Sequence, residues 1–404
     1  MRKSHKSLPQ IVKPINTNLK LGNRICSRHQ RGMKRPLLVV VPWLEDGGAD
    51  HLMLDILKGY YRTFSITLVT TCKSRHPLRR PAMKYVNRML HWENLKLKEF
   101  NRRLTCMLKR SPPHVVISSG SKIFYRSLPL VKMLWPSLPV VDILHNSLRA
   151  GHFSQAVADS DYITKHVVVS GHIKKDLLGC GIPARKILCI PNGIAYSPSD
   201  AKLRNGVKTA KRTSGAKFIP KTNLLFVGRA SSEKRPKLFV DVCKHLNKQY
   251  NVKAVCISSG PLAKDLHRYV VRTGMSGSIR IVASVPRRRL PMYYRGADIL
   301  VNTSSVEGLP LTVLEAMACG CPTACFAVGG MPSVIKNNVN GLVVKGHSAR
   351  RMAGFLAELL CNQSRCSRMR RAASRVFQER GFTVEVMQKR YNDLLEKVTN
   401  DGNK

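Results

Sequence analysis

Short runs of apolar, largely β-branched residues recur along the chain and constrain its fold more than any other feature. The first run, Pro36–Pro42, is continuous, which is typical of a strand buried on both faces of a parallel sheet. A glycine pair, Gly47-Gly48, and a segment with apolar residues at helical spacing follow it. This order of strand, glycine turn and helix predicts the opening of a βαβ unit.

Further runs of the same kind form two series, separated by a polar segment. In the first series, strands are predicted at 64–70, 114–118, 139–144 and 166–170. In the second, strands are predicted at 223–228, 252–257, 278–282, 298–302 and 323–327, and helices at 236–249, 311–319, within 346–360 and at 382–398. A chain of 404 residues is too long for one ordinary hydrophobic core. We therefore predict an α/β protein with two tandem doubly wound Rossmann-like domains, whose ligands lie beyond the carboxyl ends of the strands in a cleft between them.

The changes in composition predict where these domains begin and end. We expect a basic disordered tail (1–35), an N-terminal domain (36–196), a basic linker with an insertion (197–222), a C-terminal domain (223–381) and a terminal helix (382–404) that packs back on the N-terminal domain. The segment 85–110 is basic and loosely amphipathic. Such a segment forms a crossover helix in most proteins, and a helix that contacts a membrane surface is the alternative.

The formal net charge of +46 requires an anionic partner or a solvated surface. Residues 1–35 carry ten Lys or Arg and no acid, and residues 201–222 also lack acids. Both segments are poor in the aromatic residues that stack on bases, which argues against nucleic-acid binding as the use of this charge. A phosphate-rich ligand, an acidic acceptor or an anionic membrane would exploit the same field.

The remaining composition points to a protein without a membrane span, an export signal or a metal. No apolar stretch approaches the roughly 20 residues that span a bilayer, and the first 20 residues lack the apolar core of a signal peptide. The 12 cysteines lack the paired spacing of zinc ligands, so free thiols in a reducing compartment are expected. We predict a cytoplasmic protein, and peripheral association with a membrane surface is compatible with this prediction.

Two acidic residues, Glu307 and Glu315, are separated by seven residues in the segment EGLPLTVLE. Glu307 lies in a glycine turn after a predicted strand, and Glu315 lies about one turn into a predicted helix. A carboxylate in the second position can accept both hydroxyls of a ribose, and the helix start can hold a phosphate or a sugar hydroxyl. By itself the pair is equally well explained as acids that stabilise a helix N-terminus.

Two cations, Arg229 and Lys234, follow the first predicted strand of the C-terminal domain in the segment GRASSEKR. Cations at a strand end that precede a helix are well placed to bind a diphosphate. The alternative is that they are surface cations, since the chain has 69 Lys and Arg residues, and this alternative is strongest for Arg235.

Together these segments resemble the donor-site motifs of glycosyltransferase family 4, the retaining enzymes of the GT-B fold. The Gly-Arg-x4-Lys pattern is similar to 228–234, and the Glu-x7-Glu motif is similar to EGLPLTVLEAMACGCP at 307–322. The likeness extends to VPWLEDGGAD (41–50), IPNGI (190–194), SSGPL (258–262) and GGMPSVI (329–335). It covers the chain from Pro36 to the C-terminus, apart from the 201–222 insertion.

The resemblance implies a role for each matching residue. Arg229 and Lys234 would bind the donor diphosphate and stabilise the leaving group. Glu307 would orient the donor sugar, and Glu315 would hold the ribose. Additional donor contacts are implied for the turn at Gly47 and Gly48, for the segment ending at Val285 that would cradle the base, and for the backbone of Gly308, Leu309 and Pro310. His145, which matches a cleft histidine of the family, would lie near the transferred sugar.

The resemblance also implies an activity and its partners. The protein would be a retaining glycosyltransferase that moves a sugar from a nucleotide-diphosphate sugar to a hydroxyl of a glycan, a lipid-linked acceptor or a small molecule. No protein nucleophile, no cofactor and no essential metal are expected. The N-terminal domain would select the acceptor and the C-terminal domain would bind the nucleotide sugar.

Three features qualify the resemblance. Ser333 follows Pro332 at a position where the family often has an acid, which affects the packing of the pocket. A DxD sequence at Asp159–Asp161 resembles a metal motif, but sugar transferases that use it have a different fold, so a metal is not expected there. His152, His166 and His172 are interpreted as structural residues.

Three other functions are compatible with this sequence. A nucleotide-sugar epimerase of related fold would have the same pocket but need no acceptor. A basic nucleic-acid-binding protein would use the tail and the insertion. A non-catalytic relative is the third alternative, and the presence of both cations and both acids argues against it.

Overall fold

The computed structural model describes residues 34–147, 152–195 and 221–401. Residues 1–33 of the predicted tail, residue 196 of the predicted N-terminal domain and residues 197–220 of the predicted linker lie outside the described residues. The predicted linker ends two residues late, since a strand begins at Lys221.

Two parallel sheets organise the described residues, as the apolar runs predict. The first sheet, in the order β3-β2-β1-β4-β5-β6-β7, consists of β1 (Arg35–Val41), β2 (Phe64–Thr70), β3 (Arg88–His91), β4 (Val115–Ser118), β5 (Val140–Leu144), β6 (Lys165–Val168) and β7 (Ile187–Cys189). The second sheet, in the order β10-β9-β8-β11-β12-β13, consists of β8 (Lys221–Val227), β9 (Asn251–Ile257), β10 (Ile279–Val282), β11 (Ile299–Asn302), β12 (Thr323–Phe326) and β13 (Gly341–Val344). Every paired strand in both sheets runs parallel to its neighbour. The fold class predicted from the sequence, two doubly wound α/β domains, is therefore confirmed.

Helices connect the strands and cover both faces of each sheet. In the first half of the chain they are α1 (Gly48–Tyr60), α2 (Arg79–Met83), α3 (Leu97–Arg110), α4 (Lys122–Tyr125), α5 (Leu128–Leu134), α6 (Phe153–Ala158) and α7 (Gly171–Gly179). In the second half they are α8 (Pro236–Leu246), α9 (Ala263–Arg272), α10 (Leu290–Gly296), α11 (Leu311–Ala318), α12 (Met331–Val334), α13 (Ala349–Leu360), α14 (Gln363–Glu379) and α15 (Val384–Asp401). No helix in the described part of the chain is long and apolar enough to cross a membrane.

The segment 85–110 differs from the sequence prediction. Its first part forms β3, whose residues RMLH lack the β-branched composition that marks the other strands. Its second part forms α3, which buries Phe100, Leu104 and Leu108 in the core and turns its basic residues outward. The apolar face of α3 is therefore covered by the protein, which is the arrangement of a crossover helix.

Other elements escaped prediction because they are short or lack a simple apolar pattern. β7 and β13 have three and four residues, too few for an apolar run to be distinguished from a loop. α14 is long, but its sequence QSRCSRMRRAASRVFQE is so basic that its buried stripe of Met369, Ala373, Val376 and Phe377 is inconspicuous.

The strand order places a topological switch point in each sheet. In the first sheet, β2 and β3 are added on one side of β1 and β4 to β7 on the other, so the strand order reverses between β1 and β4. In the second sheet the order reverses between β8 and β11. Loops that follow two such strands diverge and leave a crevice at the carboxyl edge of the sheet. The loops after β8 and β11 carry the cations and the first glutamate of the two motifs.

The terminal helix α15 crosses from the second sheet to the first and packs against α1. The chain reaches it through a β-bridge between Ile194 and Thr383. Gly193 lies against this bridge so closely that a Cβ would meet the Thr383 carbonyl oxygen at 2.2 Å, so only glycine fits. The side chain of Gln388 then donates a hydrogen bond to the Asp55 carbonyl of α1 at 2.6 Å.

Candidate active site

The loops after β8 and β11 are joined by hydrogen bonds between their backbones and short side chains. The Thr303 hydroxyl donates to the Lys234 carbonyl at 2.9 Å, and the Ser305 amide donates to the Glu233 carbonyl at 2.8 Å. Arg235 donates to the carbonyls of Thr303 and Ser304 at 2.8 and 2.9 Å. Its guanidinium therefore braces the second loop, which favours a structural role for this cation.

Lys234 and Glu307 meet directly at the switch point. The Lys234 Nζ donates to Glu307 Oε1 at 2.7 Å, and Glu307 is buried. The Ser304 hydroxyl and the Asn302 amide reach the same oxygen at 2.7 and 3.3 Å. Among the described residues no hydrogen bond reaches Glu307 Oε2, so this oxygen can accept a hydroxyl group.

Glycines allow three loops to pass each other beside Glu307. A Cβ on Gly329 would lie 1.6 Å from the Glu307 carbonyl oxygen, and one on Gly330 would lie 2.0 Å from the Gly308 carbonyl oxygen. A Cβ on Gly308 would in turn lie 1.8 Å from the carbonyl oxygen of His145. The loop that carries Glu307 is thus held between the glycine pair of its own domain and the end of β5 in the other domain.

Ser333, at the position where the family often has an acid, lies below this glycine pair. Its hydroxyl donates to the Gly330 carbonyl at 2.6 Å, and its own carbonyl accepts from Arg380 at 2.6 Å. The serine therefore holds the glycine turn by a hydrogen bond and adds no charge to the pocket.

Arg229 extends across the cleft instead of joining Lys234. Its guanidinium Nη1 lies 3.5 Å from Glu45 Oε2 in the loop after β1, and its side chain is 60% exposed. The Glu45 carboxylate also accepts from the Ser74 hydroxyl at 3.3 Å. Since an anionic ligand competes with a carboxylate for a guanidinium, a diphosphate can replace Glu45 here.

Glu315 lies inside the protein, on the second turn of α11. Its carboxylate accepts from the Tyr294 hydroxyl at 2.8 Å and lies 3.5 Å from Arg287 Nε. Burial raises the pKa of Glu315, while Arg287 and the Tyr294 hydroxyl oppose this shift. Neither Arg229 nor Lys234 contacts Glu315 in this structure.

His145 lies at the end of β5, on the N-terminal side of the cleft. Its Nε2 is buried and has no hydrogen-bond partner among the described residues. Burial, followed by the nearby charge of His152, lowers the pKa of His145 to about 4. The imidazole is therefore neutral at pH 7, and its Nε2 is available for a further hydrogen bond.

Backbone at two helix starts faces the same cleft. Gly48 opens α1 and approaches Leu311, the first residue of α11, so that a Cβ would lie 3.8 Å from the leucine side chain. Pro310 caps α11, and the Leu309 carbonyl before it accepts from Asn192 at 2.6 Å. Helix starts expose amide groups that attract anions.

The other predicted contacts, Gly47 and Val285, lie at the carboxyl edges of their sheets. Gly47 is the cap residue of α1, where a Cβ would lie 2.8 Å from the Asp50 carboxylate. Val285 follows β10 and is half-buried against the core.

Several residues that shape this site were missed by the sequence prediction. Asn302 and Ser304 bind Glu307, Glu45 and Asp55 reach across the cleft, and Tyr294 and Arg287 bind Glu315. A polar pair at the end of an apolar strand could have indicated Asn302 and Ser304. The others come from distant parts of the chain and carry no local signal.

The three histidines interpreted as structural make ordinary structural contacts. His152 and His166 both bond the buried Asp142 carboxylate, at 3.2 and 3.1 Å. His172 lies 3.5 Å from Asp176 on the same helix. The DxD residue Asp159 accepts from Gln155 at 2.6 Å within the N-terminal domain, away from the switch point of the second sheet.

One group of residues, His76, His91 and Glu93, has the spacing of a metal site. Their ligand atoms all lie within 4.8 Å of one another. However, His76 Nδ1 accepts from the Leu44 amide at 3.1 Å, so its Nε2 carries the proton that it donates to Glu93 at 2.7 Å. A histidine that binds a metal through one ring nitrogen usually donates a hydrogen bond from the N–H of the other. If Nε2 of His76 bound a metal, its Nδ1 would have no proton to donate, because Nδ1 accepts from the Leu44 amide. The group therefore acts as a hydrogen-bonded support for the loop after β1.

Comparison with known sequences gives the class of the protein. The sequence profile of glycosyltransferase family 4 matches residues 46–197, and that of glycosyl transferases group 1 matches residues 207–376. The two matches follow one another and together extend over most of the chain. The chain belongs to the glycosyltransferases of family 4, as its donor-site motifs predict.

Two curated relatives are similar over part of their length. A D-inositol 3-phosphate glycosyltransferase of Xylanimonas cellulosilytica is 32% identical over 235 residues, which are 55% of this chain and 55% of the relative. A protein of the same name from Thermobispora bispora is 30% identical over 188 residues, or 43% of this chain and 44% of the relative. The chain thus matches about half the length of these curated relatives.

Solved structures share the whole fold. Anabaena HepE in complex with UDP has a TM-score of 0.73 at 19% identity and covers 90% of this chain and 100% of its own. HepE with UDP-glucose has a TM-score of 0.71 at 17% identity, with 90% and 99% covered. Sucrose-phosphate synthase of Thermosynechococcus elongatus has a TM-score of 0.67 at 16% identity, with 91% and 100% covered. At these identities the likeness defines the fold, which is GT-B.

Proposed function

We propose that this protein transfers a sugar, with retention of its anomeric configuration, from a nucleoside-diphosphate sugar to a hydroxyl acceptor. The observation that carries the proposal is the contact between Lys234 and the buried Glu307 at the switch point of the second sheet. It brings a phosphate-binding cation and a hydroxyl-binding carboxylate together, and these are the two groups that a nucleotide sugar requires at its reacting end.

Different groups of the cleft bind three parts of the donor: the diphosphate, the sugar, and the ribose with its base. Lys234 and Arg229 bind the diphosphate, with the helix starts at Gly48 and Leu311 on either side. Glu307 accepts a hydroxyl of the sugar through the oxygen that its neighbours leave open. Glu315 accepts the ribose hydroxyls, and the segment before Arg287 contacts the base.

The chemistry rests on charge and position. As the glycosidic bond breaks, negative charge develops on the departing diphosphate, and Lys234 and Arg229 neutralise it. The acceptor hydroxyl attacks from the face that the nucleotide leaves and gives its proton to a departing phosphate oxygen. The neutral His145 hydrogen-bonds the sugar near this centre, and closure of the two domains excludes water that would hydrolyse the donor.

The donor is a substrate, and we expect the reaction to need neither a cofactor nor a metal. UDP is the first nucleotide to test, because HepE of the same fold was solved with UDP and with UDP-glucose. A glycan, a lipid-linked molecule or a polyol phosphate is the acceptor class to test. The curated relatives are named for D-inositol 3-phosphate, and the basic surface of this chain suits an anionic acceptor or membrane.

A donor screen followed by two variants tests the proposal. The full-length protein is heated with UDP, GDP, ADP and their sugars, because a ligand of the native state must raise the melting temperature. Transfer from the stabilising donor is then measured, and the anomeric configuration of the product is read by NMR. We expect Lys234→Ala and Glu307→Gln to reduce transfer by about 10²–10³-fold, since each removes a group that stabilises the transition state.

Lys237→Ala is the matched control for these variants. Lys237 is 42% exposed and pairs with Asp265 at 2.6 Å, outside the cleft. It should retain both the melting temperature and the transfer rate of the wild type. Near-normal transfer by the Lys234 or Glu307 variant would refute the assignment, and inversion of configuration would refute retention.

Assays on the same protein and variants distinguish two other functions from glycosyl transfer. An epimerase would convert the donor to an isomer without any acceptor. A nucleic-acid-binding protein would bind DNA or RNA in a salt-sensitive manner that is unaffected by loss of Glu307.

A further inference from the structure

Arg287 lies between the two domains and touches both sides of the expected ribose site. Its Nη1 is 3.3 Å from Asp55 Oδ2 on α1, and its Nε is 3.5 Å from Glu315 Oε1 on α11. All three side chains are largely buried, with exposures of 24% for Arg287, 15% for Asp55 and 5% for Glu315. A buried arginine that bridges two acids from different domains is expensive to desolvate unless both contacts form.

Asp55 and Glu315 are each held from a second side. The Asp55 carbonyl accepts from Gln388 of α15, and Glu315 Oε2 accepts from the Tyr294 hydroxyl of α10. The bridge therefore joins rigid helices of both domains and of the terminal segment. Any movement of α1 relative to α11 changes the distance between the two acids.

The position of Arg287 next to Glu315 matters because Glu315 can accept two hydroxyls only as a carboxylate. We propose that Arg287 is a positioning residue for the nucleotide ribose, which holds Glu315 as an ionised acceptor and, through Asp55, joins the ribose site to the N-terminal domain. This inference rests on the proposed function, because it assumes that Glu315 binds the ribose of a nucleoside diphosphate.

The charged and titratable groups around Glu315 support this role. Burial raises the pKa of Glu315, and Arg287 is the largest influence that lowers it, followed by the Tyr294 hydroxyl and the more distant His51 of α1. Cys319 is the residue that follows α11, one turn beyond Glu315, and burial raises its pKa to about 11, so it remains a neutral thiol. When Arg287 is lost, only the Tyr294 hydroxyl and His51 remain to oppose the effect of burial, so the pKa of Glu315 rises further.

The test measures UDP binding by calorimetry from pH 5 to pH 8 in the wild type, Arg287→Ala, Arg287→Lys and Arg288→Ala. Arg288 is exposed and lies next in the chain, so its variant loses the same formal charge outside the bridge. GDP or ADP replaces UDP if the wild type prefers one of them.

We expect Arg287→Ala to bind UDP about tenfold or more weakly at pH 7, the effect of losing an ionised hydrogen-bond partner. Its affinity should also fall at a higher pH than that of the wild type as the solution is acidified. Arg287→Lys should lose affinity at the same pH as the wild type, because it keeps the charge. Arg288→Ala should match the wild type in both affinity and pH dependence.

A second readout uses the ribose itself. The wild type should bind UDP about tenfold more tightly than 2′-deoxy-UDP, because an ionised Glu315 accepts that hydroxyl. In Arg287→Ala the preference should shrink at the pH where Glu315 becomes protonated.

The outcomes separate this inference from the proposed function. If the wild type binds a nucleoside diphosphate and Arg287→Ala binds it equally well, or more weakly by one constant factor at every pH, Arg287 is structural and the inference is overturned. If the wild type binds none of the three nucleoside diphosphates, the proposed function is overturned and the inference with it.

Discussion

Burial sets the charge of His145 in the cleft. The lowered pKa, about 4, means that the native imidazole takes up a proton far less readily than the ordinary group, which titrates near 6.5. A neutral imidazole can both donate and accept a hydrogen bond, which a sugar hydroxyl requires, whereas an imidazolium can only donate.

This shift predicts a pH-dependent stability. On acidification the unfolded chain binds the proton first, so the stability due to neutral His145 is complete above about pH 6.5 and declines toward pH 4. We expect a loss of up to about 3 kcal/mol over this interval, at about 1.4 kcal/mol per pH unit. Urea unfolding of the wild type and of His145→Gln from pH 4 to pH 8 measures it, and the variant should show a flatter profile.

His172→Gln serves as the control, because His172 is 43% exposed and its variant should keep the profile of the wild type. Parallel profiles for the wild type and His145→Gln would contradict the buried, neutral state.

Among the elements, α15 shows most directly that distance along the chain does not decide packing. This helix follows the second domain in sequence, but it buries Met387, Tyr391 and Leu395 and lies against α1 of the first domain. Its contact is tight, since a Cβ on Gly59 of α1 would lie 2.8 Å from the Gln388 side chain. The helix therefore links the far end of the chain to the element that opens the cleft.

We predict that α15 contributes substantially to the stability of the first domain. Leu395→Ala removes a side chain that is 0% exposed and should lower the free energy of unfolding by about 2–5 kcal/mol. Lys397→Ala, an exposed position two residues away, should change it by less than about 0.5 kcal/mol. Urea denaturation followed by circular dichroism compares the two, and equal effects would show that α15 is only loosely attached.

At the scale of the whole molecule, polar contacts join the two domains across the cleft. Arg229 pairs with Glu45, Arg287 pairs with Asp55, and Asn192 donates to the Leu309 carbonyl. Binding of a diphosphate sugar would replace or reinforce these contacts and favour the closed arrangement.

The contact between Gly308 and His145 allows domain closure to be tested by one methyl group. A Cβ on Gly308 would lie 1.8 Å from the His145 carbonyl, a clash that opening of the cleft relieves. We expect Gly308→Ala to fold, to give a larger radius of gyration by small-angle scattering and to transfer sugar at least about tenfold more slowly, because closure positions the reactants.

Gly354→Ala is the corresponding control, because a Cβ at this helical position meets no atom within 4 Å. It should slightly stabilise the protein and leave transfer unchanged. If Gly308→Ala gave the scattering curve and the activity of the wild type, the close contact between Gly308 and His145 would not be needed for transfer.

Local patterns predicted the strands because each strand is defined by its own residues. Phe64–Thr70 agrees with prediction to the residue, and Val115–Ser118 and Ile299–Asn302 agree within one. The strand Arg88–His91 could not be predicted, because the neighbouring β2 holds it in the sheet and its own composition does not. For the site, the motifs indicated which cations and acids follow the strands of the second sheet.

The sequence by itself determined the two α/β domains, since apolar runs must be buried and glycine turns must close between them. It also determined the chemistry at the strand ends, where Lys234 and Glu307 were recognisable. Only the tertiary structure decided that these two side chains touch, that Arg229 faces Glu45, and that Arg287 joins Glu315 to Asp55. The physical reason is that the partners are from 28 (Arg287 to Glu315) to 232 (Asp55 to Arg287) positions apart in the sequence, so chain packing, and no local propensity, sets their distances.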